Sequence, residues 1–251
     1  MKCLTKQARG GFTRWDLVVV ILVVVALLAI MIVPAVQKAR QKALRIYCLN
    51  HMKSIGSVYF RLWAGDHGYL LSWHPSITNG GWSELLTNSN AGRYCWTNYA
   101  ILRQELGDWP ALVVCPADER KAAMTFTNGF DNTHVSYFVG VDASPLYPQS
   151  IQGGDRNLGP GTIPDPNYGY SPTNGLGNDV ILFTNTPVSW SLKMHSHGNP
   201  AGSGNILLGD GSGQQMSSAS FSKNWLINAQ TGTNFLGTNF PGTNGIRLVF
   251  P

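Results

Sequence analysis

The stretch that decides the fold is Gly11-Phe12-Thr13-Arg14-Trp15-Asp16, followed at once by the apolar run Leu17–Val33. The seventeen residues of this run carry no charge. As an α-helix they rise about 26 Å, just under the ~30 Å hydrocarbon core of a bilayer. The run continues into a second helical pattern instead of ending at a small-residue cleavage site. We therefore expect it to be retained as a membrane-spanning helix.

The second helical pattern follows Pro34, which is expected to kink the helix, and extends to about Trp63. Apolar residues recur along it at spacings of three and four, which is typical of one buried helical face. These residues are Ala39, Ala43, Ile46, Leu49, Met52, Ile55, Tyr59 and Leu62. The sequence therefore predicts one long helix, with a membrane half and a soluble stalk that packs on a globular head.

The rest of the chain has the composition of a loop-rich, strand-rich domain, because Gly (28) and Pro (14) are frequent and only 12% of residues are charged. Short β-branched or aromatic runs between turn residues predict strands. These runs are 111–115, 134–141, 180–183, 205–208 and 246–250, whereas 153–179 shows little periodicity. The predicted fold class is α+β, a long N-terminal helix packed on a mainly antiparallel, β-rich head.

Basic residues exceed acidic ones, 18 to 13, but they are concentrated around the apolar run. They are Lys2, Lys6 and Arg9 before it and Lys38, Arg40, Lys42 and Arg45 after it. The head itself is close to neutral. A nucleic-acid-binding surface would need basic residues clustered on the folded domain, so we expect no nucleic acid as partner.

Three residues near the C-terminus form a candidate metal or catalytic cluster: His195, His197 and Asp210. A His-x-His pair can present two imidazoles from one face of a strand, and an aspartate can complete a site. The sequence offers neither an evident nucleophile nor a zinc-binding helix motif beside them. We therefore expect no enzyme activity, and a loop-anchoring role for the cluster.

A second candidate set of ligands is purely oxygen-based and would suit Ca²⁺: Asp155, Asp165 and Asp179. Their spacing is not that of an EF-hand, and ordinary turn chemistry also accounts for them. No cofactor is otherwise expected.

The N-terminal stretch resembles that of type IV prepilins and type II secretion pseudopilins. In that family a prepilin peptidase cuts after the glycine, here Gly11, and methylates the new N-terminal residue, here Phe12. An acid at the position of Asp16 is thought to pair with the N-terminal ammonium of a neighbouring subunit in the filament. The resemblance implies a leader (1–11), a transmembrane helix (12–34), a stalk (35–64) and a pilin-like head (65–251).

A second resemblance, to pseudopilin-like proteins with a DUF1559-type head, rests on Pro34–Arg40, Cys48–Gly56, Cys115-Pro116-Ala117-Asp118 and Val135-Ser136-Tyr137. The C-terminal signature of that branch, His-x9-Asp-Gly, corresponds here to His197 and Asp210-Gly211, with twelve residues between them.

Of the four cysteines, Cys3 belongs to the leader. In a compartment that allows disulfides, the pairing we favour is Cys95–Cys115, since both belong to the head. Cys48 on the stalk is the competing partner, and reduced, buried cysteines remain the alternative.

The resemblance implies a subunit processed after Gly11 and assembled through its N-terminal helix into a pilus or a secretion pseudopilus. Its partners would be the prepilin peptidase, other subunits and inner-membrane lipids, with the head in the periplasm or outside the cell. Two other classes remain open. One is an anchored carbohydrate-binding protein that uses aromatic residues such as Trp63, Trp73 and Trp82. The other is an anchored hydrolase built on His195, His197 and Asp210.

Overall fold

The structure is a computed structural model that describes residues 11, 13–58, 91–140, 143, 148–183, 185–196, 199–225 and 246–251. The leader, Phe12, His197, the predicted end of the stalk helix and the tryptophans at 63, 73 and 82 lie outside this described part. The chain divides into two compact units, Met1–Lys42 and Ala43–Pro251.

A single helix, α1, runs from Arg14 to Ser57 and contains Pro34 without ending there. It begins where Thr13 and Asp16 bond reciprocally to each other, an arrangement that satisfies free N–H groups at a helix start. The apolar part of α1 is long and apolar enough to cross a membrane, and none of it is buried within the protein. The expectation of a long apolar N-terminal helix is confirmed.

The part of α1 that belongs to the second unit buries one face, made of Cys48, His51, Met52, Ile55 and Gly56. Their spacing of one, three and four residues is that of one helical stripe. The predicted stripe is therefore right at Met52 and Ile55 but wrong at Ile46, which is 53% exposed. Cys48 and His51 occupy the buried face instead.

The second unit is built on a six-stranded antiparallel sheet with the strand order β4-β8-β1-β2-β6-β7. Its strands are β1 Tyr137–Gly140, β2 Ile151–Asp155, β4 Asn178–Leu182, β6 Ser203–Leu208, β7 Gly213–Ser217 and β8 Ile246–Phe250. Two shorter strands, β3 Leu158–Pro160 and β5 Val188–Trp190, pair antiparallel in a second sheet. A short helix, α2, spans Thr97–Ile101, and a further turn of helix, α3, spans Ser218–Ser220. The α+β layout is thus confirmed.

The large sheet is buried on both faces, because alternate residues of its central strands enter two different cores. Along β1, Tyr137 and Val139 pack in the core that contains the buried face of α1, while Phe138 packs in the other. In β6, Leu207 joins the α1 core and Ile206 the opposite one. Central strands that are apolar on both faces explain why they read as short continuous runs in the sequence.

Two predictions about individual segments are wrong. Residues 111–115 do not form a strand, because Pro110 begins a 3₁₀ turn over Pro110–Val113, where its fixed φ suits the first helical position. The segment 153–179, predicted to be irregular, contains the end of β2 and all of β3. Gly153 and Gly154 sit there because a Cβ on either would lie 2.8 Å from a carbonyl oxygen of a neighbouring strand.

Candidate functional site

Of the residues predicted for processing and assembly, the structure describes Gly11, which precedes α1, and Asp16, which lies in its first turn. Gly11 is exposed. The Asp16 carboxylate accepts hydrogen bonds from the backbone N–H of Thr13 at 2.9 Å and from its hydroxyl at 2.7 Å, and the Asp16 N–H donates to that hydroxyl oxygen at 3.3 Å. Asp16 therefore caps its own helix, whatever other partner it has.

The cysteines pair differently from the favoured prediction. The disulfide joins Cys48 to Cys115, with the two Cα atoms 5.2 Å apart. The pairing Cys95–Cys115 is wrong because the Cys95 thiol points elsewhere, donating to the carbonyl oxygen of Val249 at 3.4 Å. Cys95 is a free, buried thiol, and burial raises its pKa well above the ordinary value. The bridge links the buried face of α1 to the loop that follows the Pro110–Val113 turn.

Beside this bridge lies a buried imidazole and carboxyl pair. The Nε2 atom of His195 is 3.3 Å from the sulfur of Cys115 and 3.5 Å from Oδ2 of Asp155. The side chains of His195 and Asp155 are 1% and 0% exposed. His195 lies in the 3₁₀ turn Met194–Ser196, and Asp155 ends β2.

Burial suppresses the charge of both groups. It lowers the pKa of His195 to about 3, with a further contribution from the positive charge of Arg45. It raises the pKa of Asp155 to about 8, although the N–H of Asn205 and the charge of Arg45 act in the opposite direction. Burial thus disfavours the charged form of both the imidazole and the carboxyl group.

The residue after Asp155 belongs to a buried ion pair. Arg156 donates from Nε and Nη2 to the two carboxylate oxygens of Asp118 at 2.7 and 2.8 Å, and their side chains are 3% and 0% exposed. Its guanidinium carbon also lies 3.4 Å from the centre of the Tyr168 ring. Burial alone would raise the pKa of Asp118, but the hydrogen bonds and charge of Arg156 outweigh it and hold that pKa below the ordinary value.

A second guanidinium, that of Arg120, binds main-chain oxygens and, at 3.4 Å, the hydroxyl of Ser171. Its Nη1 donates to the carbonyl oxygens of Asn132, at 2.7 Å, and of Val135. Its Nη2 donates to those of Pro172 and Pro251 at 3.3 and 3.2 Å. Burial, with a smaller contribution from the positive charge of Arg156, lowers the pKa of Arg120 to about 10. These contacts tie together segments far apart in sequence.

The third arginine of the cluster comes from α1. Arg45 donates from Nε to the Asn205 side-chain oxygen at 3.2 Å, and from Nη2 to the carbonyl oxygens of Gly204 and Met216 at 2.8 and 3.2 Å. Asn205 in turn donates its backbone N–H to Oδ2 of Asp155 at 2.7 Å. One chain of contacts therefore connects α1, β6, β7 and the end of β2.

The other predicted ligands lie on separate elements. Asp210 is in the exposed β6–β7 turn and accepts from the N–H of Ser212 at 2.8 Å. Asp165 accepts from the N–H of Asn167 at 2.6 Å, the turn chemistry that the sequence also suggested, and Asp179 lies in β4. Within the described ranges, the one group of three metal-ligating side chains with ligand atoms within 4.8 Å of one another is Cys48, Cys115 and His195.

A surface cavity of about 270 Å³ adjoins this cluster. Its lining includes Tyr47, His51, Trp109, Cys115, Asp118 and Arg120. The ring of His51 is 4.4 Å from that of Tyr47 and 6.1 Å from that of Trp109, and Trp109 is 51% exposed. The cavity combines an aromatic wall with charged side chains.

Sequence reasoning missed Arg45, Asp118 and Arg156 as members of one cluster. A signal existed, because charges are scarce in this chain and Asp155-Arg156 places two of them side by side in an otherwise uncharged, glycine-rich stretch. Comparison of the chain with family models, with curated proteins and with solved structures finds no match.

Proposed function

We propose that this protein is a pseudopilin-like subunit, anchored by the apolar part of α1, processed after Gly11 and assembled through α1 into a pilus or secretion pseudopilus. The observation that carries the proposal is the exposure of that helix. The large apolar side chains between Leu17 and Val33 are 44% to 74% exposed. Burying such a side chain is worth about 1.5–3 kcal/mol, so this surface needs lipid or neighbouring helices around it.

The N-terminal sequence supports processing as well as anchoring. The glycine and phenylalanine that precede α1 stand where a prepilin peptidase would act, and Asp16, in the first turn of α1, is at the position of the family's assembly acid. We propose no catalytic role for the head. Its antiparallel sheet and covalent link to α1 provide a rigid body displayed by the helix.

The test is the N-terminal residue of the mature protein, isolated from its native membrane and identified by mass spectrometry. A chain that begins with N-methylated Phe12 supports the proposal, and a chain that retains Met1 overturns it. Gly10 and Gly11 offer a matched pair of variants: Gly11→Val should abolish cleavage, whereas Gly10→Val should leave the cleavage site unchanged.

The cavity beside Trp109 favours a second candidate, an anchored carbohydrate-binding protein that does not polymerise. Exposed aromatic rings suit stacking against sugars, and Tyr47, which lines the same cavity as Trp109, is 48% exposed. Binding of soluble polysaccharides by the detergent-solubilised protein should be lost in Trp109→Ala and retained in Phe183→Ala, a partly exposed aromatic residue outside the cavity. Equal binding by both variants would reject this candidate.

A further inference from the structure

The disulfide Cys48–Cys115 does not stand alone, because two further side chains able to bind metal face it. The ligand atoms of Cys48, Cys115 and His195 lie within 4.8 Å of one another. Asp155 extends the group, with its Oδ2 3.5 Å from Nε2 of His195. The four residues come from α1, the loop after the Pro110–Val113 turn, the turn at Met194–Ser196 and the end of β2. Such convergence of separate elements is how proteins build closed metal sites.

Two distances around His195 are close to those of a tetrahedral site. With the usual Zn–S, Zn–N and Zn–O bond lengths, tetrahedral geometry places S and N about 3.6 Å apart and N and O about 3.4 Å apart. The corresponding distances here are 3.3 Å from the Cys115 sulfur to His195 Nε2 and 3.5 Å from that nitrogen to Asp155 Oδ2. A metal ion requires two changes: separation of the two sulfurs to about 3.8 Å, and a closer approach of the Asp155 carboxylate, which does not lie within 4.8 Å of all three other ligand atoms.

The environment of Asp155 gives independent support for a bound cation. Its side chain is fully buried, and within the described part of the chain its Oδ1 atom has no hydrogen-bond partner. Leaving a buried carboxyl oxygen without a partner costs free energy, so its retention calls for an explanation. The other oxygen is held by the N–H of Asn205 at 2.7 Å, and Ser203 donates its hydroxyl to the carbonyl oxygen of His195 at 2.8 Å. These bonds orient both prospective ligands, as outer-shell contacts do in metal sites.

We propose that, when the disulfide is open, Cys48, Cys115, His195 and Asp155 form a closed site for a thiophilic divalent cation of the Zn²⁺ type. Two thiolates with one imidazole and one carboxylate are ligands that Zn²⁺ accepts, and they disfavour Mg²⁺ and Ca²⁺. The cation and the disulfide are then alternative cross-links between the same two elements. Cys115 is among the residues around the surface cavity but is itself 0% exposed. An ion or a reductant would therefore approach its sulfur from this side, after a local opening of the cavity wall.

The metal site forms from the disulfide in two steps. A dithiol reductant transfers two electrons and two protons to the disulfide, giving the thiols of Cys48 and Cys115 while it becomes a disulfide itself. The cation then binds both sulfurs as thiolates and displaces two protons to solvent. In a newly made chain whose thiols have not been oxidised, only the second step is needed. The proposal is independent of whether the protein assembles into a filament.

The experiment uses the full-length protein in detergent, reduced with a phosphine, freed of reductant without oxygen and titrated with Co²⁺ and then Zn²⁺. We expect one equivalent of Co²⁺ to bind, with a thiolate-to-cobalt charge-transfer band and intense tetrahedral d–d bands, and Zn²⁺ to displace it. Zn²⁺ should also protect Cys48 and Cys115, but not Cys95, from alkylation mapped by mass spectrometry in the unmutated protein. This last readout does not depend on any variant folding.

Variants identify the ligands. His195→Ala and Asp155→Asn should each weaken Co²⁺ binding at least tenfold, a loss typical of disturbed metal sites. The control is a second His and Asp pair, His134 and Asp131, which are 3.0 Å apart at the surface, so His134→Ala and Asp131→Asn should leave binding unchanged. The proposal is overturned if the reduced protein shows no thiolate band, if the oxidised protein binds Co²⁺ equally well, or if Zn²⁺ fails to protect Cys48 and Cys115.

Discussion

Arg156 holds the carboxylate of Asp118 by two parallel hydrogen bonds of 2.7 and 2.8 Å, in a place where neither side chain has meaningful contact with solvent. The pair fastens the chain just after β2 to the loop just after Cys115. A planar guanidinium matches a carboxylate in this bidentate way, which a lysine ammonium cannot do. The guanidinium of Arg156 also lies over the ring of Tyr168, and this contact restricts its orientation from one side.

Asp118→Asn should lower the free energy of unfolding by about 3–5 kcal/mol, because removing one partner leaves the other charge buried without compensation. Urea unfolding followed by tryptophan fluorescence in detergent measures the change. Asp108→Asn is the matched control, since Asp108 is exposed and asparagine tolerates its positive φ of 50°. A loss below about 1 kcal/mol at Asp118 would contradict a buried, paired carboxylate.

The same pair predicts a pH dependence. The pKa of Asp118 is lower in the folded protein than its ordinary value of about 3.9. The carboxylate therefore contributes its full stabilisation above pH ~4 and loses it as the pH falls through the lower folded pKa. The difference in unfolding free energy between the wild type and Asp118→Asn should be constant from pH 5 to 7 and shrink progressively below about pH 4. A difference that stays unchanged down to pH 2 would refute this.

Removing the disulfide should also destabilise the head. The cysteines are 67 residues apart, and closing a loop of that length in the unfolded chain is worth about 4 kcal/mol. We expect a loss of this order in the double variant Cys48→Ala, Cys115→Ala, measured without added metal. Cys95→Ala, which leaves the disulfide intact, serves as the control and should lose less than half as much. Equal losses would show that the bridge adds nothing beyond packing.

Variants at the start of α1 distinguish two roles of Asp16: capping the helix and pairing with the N-terminal ammonium of another subunit. If the carboxylate only caps the helix, Asp16→Asn should affect subunit cross-linking in membranes no more than Thr13→Ala does, because the amide oxygen of asparagine still accepts from Thr13. If it also pairs with an N-terminal ammonium, Asp16→Asn should reduce cross-linking at least tenfold while Thr13→Ala has little effect. Chemical cross-linking followed by immunoblotting distinguishes the two outcomes.

The parts of the fold that the sequence predicted are those with a local signal. An uninterrupted apolar run such as Leu17–Val33 has few alternatives to a helix, and the β-branched residues of β6 and β8 mark strands. By contrast, β2 contains Gly153 and Gly154, which are required by the close approach of neighbouring carbonyl oxygens and, at Gly154, of the Phe138 ring. Such a requirement is set by the assembled sheet, so it leaves no signal in the residues themselves.

The candidate site was predictable only in part, for a similar reason. His195 and Cys115 were both singled out by residue type, yet in different roles and with different partners. What unites them is the convergence of α1, β2 and two turns, and that convergence depends on tertiary contacts such as those of Arg45 with Asn205 and Gly204. The choice of Cys48 over Cys95 follows from which face of α1 is buried, and the apolar stripe placed that face only in part, since it included Met52 and Ile55 but not Cys48.

The disulfide between Cys48 and Cys115 determines how a force applied to α1 is transmitted to the head. A pull applied along α1 passes at Cys48 through the disulfide into the loop at Cys115, a route that bypasses the 66 residues between the two cysteines. For the same reason, a protease that cuts within that stretch does not release the helix from the head until the bridge is opened. Whatever α1 is fastened to, the head remains covalently attached near the middle of its fold and does not depend on the intervening chain.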